Sequence, residues 1–231
     1  MAAAPAEHEI LDHSGQCLVV TTDSWSATKG ALAVFERHAG AAWQPRGSVV
    51  PVRVGKTGLA WGRGLLGTNF LPGPIKVEGD DKAPAGAFRL SRAFGYARQA
   101  PPTRMPYLPL SENIVAVDDP RSRYYNQLLD QTKINHPDWR SAEKMILADD
   151  RYKWGVLVDH NKPPKPGAGS CIFLHVWKNP KTATTGCTAL AEAKLVEIIR
   201  WLDPSEHPLL IQLPAAEYKK LQTHWNLPNL R

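Results

Sequence analysis

The sequence predicts a mainly β fold with a few packed helices. Its 20 prolines among 231 residues favour short strands and loops over long helices. Short runs rich in β-branched and apolar residues recur between turn-forming residues, a pattern typical of strands. The clearest helix is the stretch 191–202, where apolar residues recur at helical spacing before an Asp-Pro pair.

The first half of the chain is predicted to contain strands separated by turns. We expect a hairpin of two strands at 17–22 and 31–37, and a third strand at 48–54. Glycine-rich turns follow at 57–79, then a short strand at 88–90 and a long proline-rich loop at 97–109. Long loops in compact domains are usually functional or mobile, so the last of them is a candidate to border a site.

The second half mixes helices with the two best strands. A helix at 121–131 would turn Tyr125, Leu128 and Leu129 inward, and Ser141 is a plausible N-cap for a second helix at 142–148. Two strands follow at 154–159 and 170–177, and the clearest helix lies at 191–202. A final strand at 209–213 and a short terminal helix at 217–225 complete the chain.

Composition predicts one soluble domain, 16–231, after a disordered N-terminal remnant, 1–15, of a secreted protein whose signal peptide has been removed. An ordinary disordered cytosolic N-terminus is the alternative. The net charge is +6, but Lys and Arg are scattered without interleaved aromatics, which argues against nucleic acid and fits an anionic polymer. No apolar run is long enough to span a membrane.

Two neighbouring segments carry the candidate chemistry. The stretch 169–177 reads as a buried strand that carries His175, and the polar turn that follows it ends in Gly186 and Cys187. The two side chains are 12 positions apart, enough for a strand, a loop and a return to the same place. A thiol beside an imidazole is the minimum apparatus for nucleophilic acyl transfer.

Each residue of this group has a chemical reason to be there. The thiolate is the attacking species, and the imidazole of His175 can take the proton from Cys187 or lower its pKa. Gly186 permits a tight backbone, so that the N–H groups around Cys187 can hold a developing oxyanion. Thr184 and Thr185 offer hydroxyls that orient the histidine or the substrate.

These residues resemble the L,D-transpeptidases, the YkuD-type domain that cross-links peptidoglycan. A histidine on a strand followed by [Ser/Thr]-x-Gly-Cys is similar to their catalytic motif. The segment 82–90, KAPAGAFRL, resembles the family's x-T-P-x-G-x-F segment, and 117–120 together with 124–126 resembles a divergent YkuD-like branch. The resemblance covers about 17–214, and it implies a YkuD-like β-sandwich or barrel-like catalytic domain.

The resemblance implies a periplasmic enzyme that needs no cofactor or metal. Cys187 would attack a carbonyl of a donor stem peptide and release its terminal D-amino acid, with His175 as the base and Gly186 beside the oxyanion. The amine of a meso-diaminopimelate on a second stem peptide would resolve the thioester. The product joins two diaminopimelates, or joins the first alanine of a stem to a diaminopimelate.

Three features depart from better-known members of that family. Thr185 stands where they have a histidine, Ala189 stands where they have an arginine, and their His-to-Cys spacing is usually longer. Without that arginine another cation must grip the substrate carboxylate. Arg104, in the proline-rich loop with Tyr107, is the preferred candidate, and Arg123 is the second.

Other side chains are weaker candidates for the substrate cleft. Tyr124, Tyr125 and Asn126 would line it, although helix packing is the alternative for at least one tyrosine. Trp177 follows His175 by two positions, so both lie on one strand face and the indole would form a pocket wall. His160 is the second choice for the base, with a surface position as its alternative.

A zinc site is argued against by strand geometry. Cys171, His175, Cys187 and His160 are suitable ligand types, but residues four apart on a strand are separated by about 13 Å and do not share one metal. Three cysteines is an odd number, so one thiol stays free in any oxidising compartment. A Cys17–Cys171 bridge is one possibility, and two buried inert thiols is the favoured one.

Three other functions remain open at this point. Water as the acceptor makes the same apparatus an L,D-carboxypeptidase. A wall-binding module could keep the fold without catalysis, and it would need no reactive thiol. An ordinary cysteine peptidase would cleave peptides made of L-amino acids.

Overall fold

Strands dominate the computed structural model of the chain, which describes residues 11–38, 41–66 and 71–230. In that part of the chain the strands are β1 Gln16–Thr22, β2 Lys29–Glu36, β3 Gln44–Arg53, β4 Leu59–Trp61, β5 Ala83–Gly95, β6 Tyr107–Pro109, β7 Ile114–Val117, β8 Gln127–Asp130, β9 Ala142–Lys144, β10 Trp154–Val158, β11 Phe173–Val176, β12 Thr188–Leu190 and β13 Leu209–Pro214. The helices are α1 Glu192–Trp201 and α2 Ala215–Leu221, with short 3-10 turns at Gln131–Lys133, Asp150–Tyr152 and Pro204–Glu206. The mainly β prediction is confirmed.

Eight strands close into a barrel. Their order is β10, β11, β12, β3, β2, β1, β13 and β5, and the barrel closes because β5 also pairs with β10. The 13-residue strand β5 additionally carries β4 and β6 as parallel neighbours. A separate three-stranded sheet has the order β8, β7, β9.

Buried apolar side chains form two clusters that meet at β11. Ile172, Leu174 and Val176 belong to the larger cluster, which joins most barrel strands to both helices. Cys171 and Phe173 belong to a smaller cluster that also contains Cys187 and residues of the three-stranded sheet. This alternation is the one that the period of a strand predicts. The smaller cluster therefore joins the barrel wall to the separate sheet, and Cys187 lies at that junction.

Several predicted elements are confirmed. Strands form at or near 17–22, 31–37, 48–54, 154–159 and 209–213, and helix α1 falls within 191–202. Leu195, Ile198 and Ile199 are the buried side chains of α1, as its apolar stripe predicts. The helix ends before Asp203, whose carboxylate accepts a hydrogen bond from the amide of Ser205 and so starts the next 3-10 turn.

The two helices predicted in the middle of the chain are wrong. Residues 121–126 form turns and 127–130 form β8, because Asn126 adopts a left-handed backbone with φ of 63° that ends any helix there. Ala142–Lys144 forms β9, an edge strand that pairs with β7. Pairing in the separate sheet overrides the local helical preference of both segments.

Strand lengths also differ from the predictions. The strand predicted at 88–90 is part of the longer β5, which pairs with β10 and β13. The alanines and glycines of β5 have low strand propensity, so the sequence pattern does not indicate its full length. The turns predicted at 57–79 contain β4, with 67–70 outside the described residues, and the loop at 97–109 ends in β6. Strand β11 begins at Phe173 rather than 170, since Cys171 has φ of 53°. Helix α2 ends at Leu221, short of the predicted 225.

The beginning of the predicted remnant, 1–10, lies outside the described residues. Its last residues pack on the domain: Leu11 and Ser14 are buried, and the guanidinium of Arg37 donates hydrogen bonds to both of their carbonyls. Within the described chain, no helix is long and apolar enough to cross a membrane.

Candidate active site

Cys187 and His175 are brought together by two adjacent parallel strands. In the register of β11 and β12, Leu174 pairs with Thr188 and His175 pairs with Ala189. Cys187 lies two residues before Ala189, so its side chain points to the same face as the imidazole. Sheet spacing places such diagonal neighbours about 8 Å apart at their Cα atoms, within reach of a thiol and an imidazole.

Two cavities meet at Cys187. The smaller, of about 70 Å³, is lined by Cys187 and His175 together with Glu143, Arg151, Tyr152, Lys178, Thr182, Ala183, Thr184, Thr185 and Ala189. The larger, of about 170 Å³, is lined by Cys187 together with Lys76, Glu78, Gly79, Asp81, Asp118, Glu143, Ser170, Cys171, Ile172, Thr185 and Gly186. Glu143, Thr185 and Cys187 belong to both linings. The thiol thus lies between a histidine-bearing cavity and a largely acidic one.

The imidazole of His175 is held as a neutral base. Its Nδ1 lies 2.8 Å from the carbonyl of Val176, which can only accept, so Nδ1 carries the proton and Nε2 the lone pair. The ring is buried and stands edge-on to Tyr152 at 5.3 Å. Burial lowers the pKa of His175 to about 4, so the neutral form dominates at neutral pH.

The sulfur of Cys187 is buried against the backbone that precedes and begins β11. The amide of Phe173 donates to Sγ at 3.4 Å, and the thiol donates to the carbonyl of Cys171 at 3.8 Å. Burial, with a smaller contribution from the charge of Glu143, raises the pKa of Cys187 to about 12. Thiol and imidazole are therefore both neutral here, and a proton would move only as the sulfur attacks.

The turn before Cys187 is fixed by Thr184. Its hydroxyl donates to the carbonyl of Cys187 at 2.5 Å and accepts from the amide of Gly186 at 3.2 Å. Gly186 has φ of 156°, a conformation that L side chains rarely adopt, although a Cβ there would meet only ordinary contacts. Because the Gly186 amide is engaged, the amides of Thr185 and Cys187 are the candidate oxyanion donors.

A hydrogen-bonded pair, the buried Tyr152 and the half-buried Glu143, lines the smaller cavity with the thiol. The hydroxyl of Tyr152 donates to Oε1 of Glu143 at 2.6 Å, and its ring packs against both His175 and Phe173. Burial raises the pKa of the Glu143 carboxyl, and the nearby charge of Asp118 adds to that rise. Sequence reasoning missed this pair, because Glu143 comes from β9, which was predicted to be a helix.

Cations also line the smaller cavity. Arg151 is held by hydrogen bonds from its Nε to both carboxylate oxygens of Asp149 at 2.9 Å, and Lys178 is exposed. Neither residue lies in a motif, and the sequence carries no signal that links them to Cys187. Ala189 lines the same cavity without a charge.

Arg104 and Tyr107 are not among the residues that line either cavity at Cys187. The exposed Arg104 pairs with Asp203 and borders a different cavity beside Trp201. The hydroxyl of Tyr107 donates to the carbonyl of Ala97 at 2.7 Å, and burial raises the pKa of Tyr107 to about 12. The proline-rich loop therefore packs near α1 and does not reach over the thiol.

The segment 124–126 supports the larger cavity from behind. Tyr124 packs edge-on against Trp139 and under Arg123, and it is not among the residues that line either cavity. The buried Tyr125 hydrogen-bonds to Glu78, a lining residue. Asn126 accepts from the amide of Cys171 at 2.9 Å, and its side-chain amide donates to the carbonyls of His160 and Asn161. Asn126 thus positions Cys171, two residues before the start of β11.

His160 and Trp177 also lie outside both linings. His160 is buried, with Nε2 3.0 Å from the carbonyl of Ala168 and its ring edge-on to Phe88. Burial lowers the pKa of His160 to about 4. Trp177 is half-buried at the end of β11, where its amide donates to Leu190. The surface position considered for His160 is wrong, because its side chain is buried, whereas its role as a base stays a prediction.

The three cysteines are free and buried. Cys17 and Cys171 are both buried and unbridged, as the favoured hypothesis of two buried thiols expects, and burial raises the pKa of each. Within 11–38, 41–66 and 71–230, no three His, Cys, Asp or Glu side chains are grouped so that they could hold a metal ion.

No protein-family model matches this sequence, and no curated protein matches it.

The raised thiol pKa predicts the pH profile of alkylation at Cys187. With a pKa of about 12, the thiolate fraction grows about tenfold per pH unit between pH 7 and 10. We expect the rate of reaction with iodoacetamide, followed by peptide mass at Cys187, to rise with that slope. A plateau between pH 6 and 8 would instead indicate a thiolate–imidazolium pair and contradict the neutral site.

Proposed function

We propose that this protein is a peptidoglycan L,D-transpeptidase that works through an acyl-enzyme on Cys187. The observation that carries the proposal is the common cavity of Cys187 and His175 at the junction of two parallel strands. The resemblance of the motif supports the choice of substrate. A periplasmic location follows from that substrate, and the proposed chemistry uses no cofactor.

Acylation needs a nucleophile and a base in one cavity. The sulfur of Cys187 attacks the carbonyl carbon of the donor, and its proton passes to Nε2 of His175. The tetrahedral intermediate collapses when the C–N bond breaks, and the imidazolium returns the proton to the departing D-amino acid amine. His175 suits this exchange because its Nδ1–H is anchored on Val176, which directs Nε2 as the basic atom.

Recognition of the donor carboxylate is proposed to come from the smaller cavity. Arg151 and Lys178 border it, whereas Ala189 brings no charge there. A guanidinium can bind a carboxylate through two parallel hydrogen bonds. The bonds of Arg151 to Asp149 use its Nε, and its two terminal nitrogens would bind the donor carboxylate. Arg151 is therefore proposed to replace the arginine that relatives carry two residues after the cysteine.

Loss of Arg151 should weaken donor binding. We expect Arg151→Ala to raise the KM for the donor peptide about tenfold, which corresponds to about 1.4 kcal/mol. The matched control is Arg104→Ala, since Arg104 pairs with Asp203 at a different cavity. If Arg104→Ala raises KM more than Arg151→Ala does in steady-state kinetics, the proline-rich loop rather than Arg151 binds the donor carboxylate.

The proposed function is tested by mass spectrometry of purified disaccharide-tetrapeptides incubated with the protein. A transpeptidase yields a dimer, the free terminal D-amino acid and a transient acyl adduct on Cys187. Release of the D-amino acid with no dimer identifies an L,D-carboxypeptidase. Unchanged peptides, with no adduct on the protein, contradict the proposal and leave a binding module. Cleavage of peptides made of L-amino acids points to a general cysteine peptidase.

A further inference from the structure

Glu143 is the acidic side chain that borders both cavities at Cys187. It is half-buried, it belongs to β9 of the separate sheet, and Tyr152 donates to its Oε1 at 2.6 Å. Tyr152 in turn packs edge-on to His175. This hydrogen bond holds Oε1 of the carboxyl, and none of the described residues donates a hydrogen bond to Oε2.

The larger cavity is suited to a cation. Its lining contains the carboxylates of Glu78, Asp81, Asp118 and Glu143. Asp81 pairs with Lys56, Glu78 accepts hydrogen bonds from Tyr125 and Ser170, and the ammonium of Lys76 pairs with Asp80. The Oδ1 atom of Asp118 is buried and receives no hydrogen bond from the described residues. An unpaired buried acceptor costs free energy, and an ammonium that donates to it removes that cost.

We infer that Glu143 is a second catalytic base, which takes a proton from the acceptor ammonium before that amine attacks the thioester on Cys187. This inference rests on the proposed function. The acceptor class is a primary amine on an amino-acid centre, entering through the acidic cavity. The donor carboxylate lies on the opposite, histidine-bearing side, where Arg151 and Lys178 are found.

The proton balance of the transfer step requires such a base. An ammonium has no lone pair, so one proton must leave before nitrogen can attack; Glu143 takes it. The C–N bond then forms, the C–S bond breaks and the sulfur of Cys187 leaves with the electron pair. The second nitrogen proton reaches that sulfur through His175, and Glu143 releases its proton to water. The products are an amide and a free thiol.

Two properties of Glu143 favour this role. Its raised carboxyl pKa makes it a stronger base than an exposed glutamate. The groups that face it are Asp118 from the end of β7, Arg151 and Tyr152 from the 3-10 turn, and the thiols of Cys171 and Cys187. Besides burial, the charge of Asp118 raises this pKa, while the hydrogen bond from Tyr152 and the charge of Arg151 lower it.

The test separates acylation from transfer in Glu143→Gln, whose amide oxygen can still accept from Tyr152. The acyl-enzyme is formed from a tetrapeptide donor, and its decay is followed by protein mass with two acceptors. One is a tripeptide carrying the meso-diaminopimelate amine, which is protonated at pH 7. The other is hydroxylamine, which is already neutral at that pH and needs no base to attack.

We expect Glu143→Gln to form the acyl-enzyme at close to the wild-type rate. Transfer to the tripeptide amine should fall by at least about a hundredfold, the scale of losing a general base, whereas transfer to hydroxylamine is kept. Glu217→Gln is the control, since Glu217 is a buried glutamate of α2 that lines neither cavity. It should leave both transfers unchanged.

Three results would overturn the inference. One is transfer to the tripeptide amine at the wild-type rate in Glu143→Gln. Another is an equal loss with both acceptors, because hydroxylamine does not need the base. The third is a loss of acylation itself in the folded variant, which would make Glu143 a part of the first step. Failure of the wild-type protein to form any acyl-enzyme contradicts the proposed function instead.

Discussion

Alanine in place of Cys187 is expected to abolish both release of the terminal D-amino acid and dimer formation. The acyl group has no sulfur to bond to in that variant, and no neighbouring thiol can substitute. Cys171 shares the larger cavity with Cys187, but it does not line the cavity that contains His175, and its thiol donates to the carbonyl of Val117. Chromatography of the disaccharide-peptides, with protein mass for the acyl adduct, measures the loss.

Cys17→Ala is the matched control for that experiment. Cys17 is equally buried, but it lies in β1, which is separated from β12 by β2 and β3 in the barrel order. Both substitutions remove one buried sulfur, so their melting temperatures should fall by similar amounts while only Cys187→Ala loses activity. If Cys187→Ala retains turnover, Cys187 is not the nucleophile, and the acyl-enzyme mechanism proposed for it is wrong.

The barrel strands could be predicted because their residues carry the signal themselves. Around β11, alternate residues go to different apolar clusters, and the run at 172–177 is rich in the β-branched and aromatic residues that favour strands. Helix α1 has its stripe and its Asp-Pro end within 13 positions. Local pattern and tertiary packing agree in both segments, so sequence reasoning succeeds there.

The segments that were misread take their structure from distant partners. The turn at Asn126 is held by bonds to the backbone of His160, Asn161 and Cys171, more than 30 positions away. Strand β9 exists because it pairs with β7. Neither contact is encoded in the local spacing of apolar residues, which in both cases resembles a helix.

The same distinction applies to the site. Cys187 and His175 were found together because a short loop joins two adjacent parallel strands. Glu143 and Arg151 reach the thiol only through the docking of the separate sheet and the turn before β10, so no spacing rule reveals them. Arg104 was a reasonable cation by loop position, but its partner Asp203 is 99 positions further along the chain.

Substituting His175 by glutamine is expected to slow acylation by about 10²–10⁴-fold, the range for loss of a general base. The glutamine amide can still donate to the carbonyl of Val176, but its side chain offers no basic nitrogen toward Cys187. Because the thiol pKa is about 12, few thiolates exist at neutral pH without a base, so the loss should fall on kcat. Single-turnover formation of the acyl-enzyme, followed by mass, measures it.

The pH profile of acylation separates His175 from its rival. A pKa of about 4 leaves the imidazole of His175 able to accept a proton at any pH above that value, and protonation below it removes the base. The acidic limb of wild-type kcat/KM is therefore expected near pH 4 rather than near the ordinary histidine pKa of about 6.5. It should disappear in His175→Gln and persist in His160→Gln.

The two variants are needed to assign the acidic limb to one histidine, because burial lowers the pKa of His160 to about 4 as well. A greater loss of acylation in a folded His160→Gln protein would show that the base is the histidine buried against Phe88, and Cys187 would then need a different route for its proton.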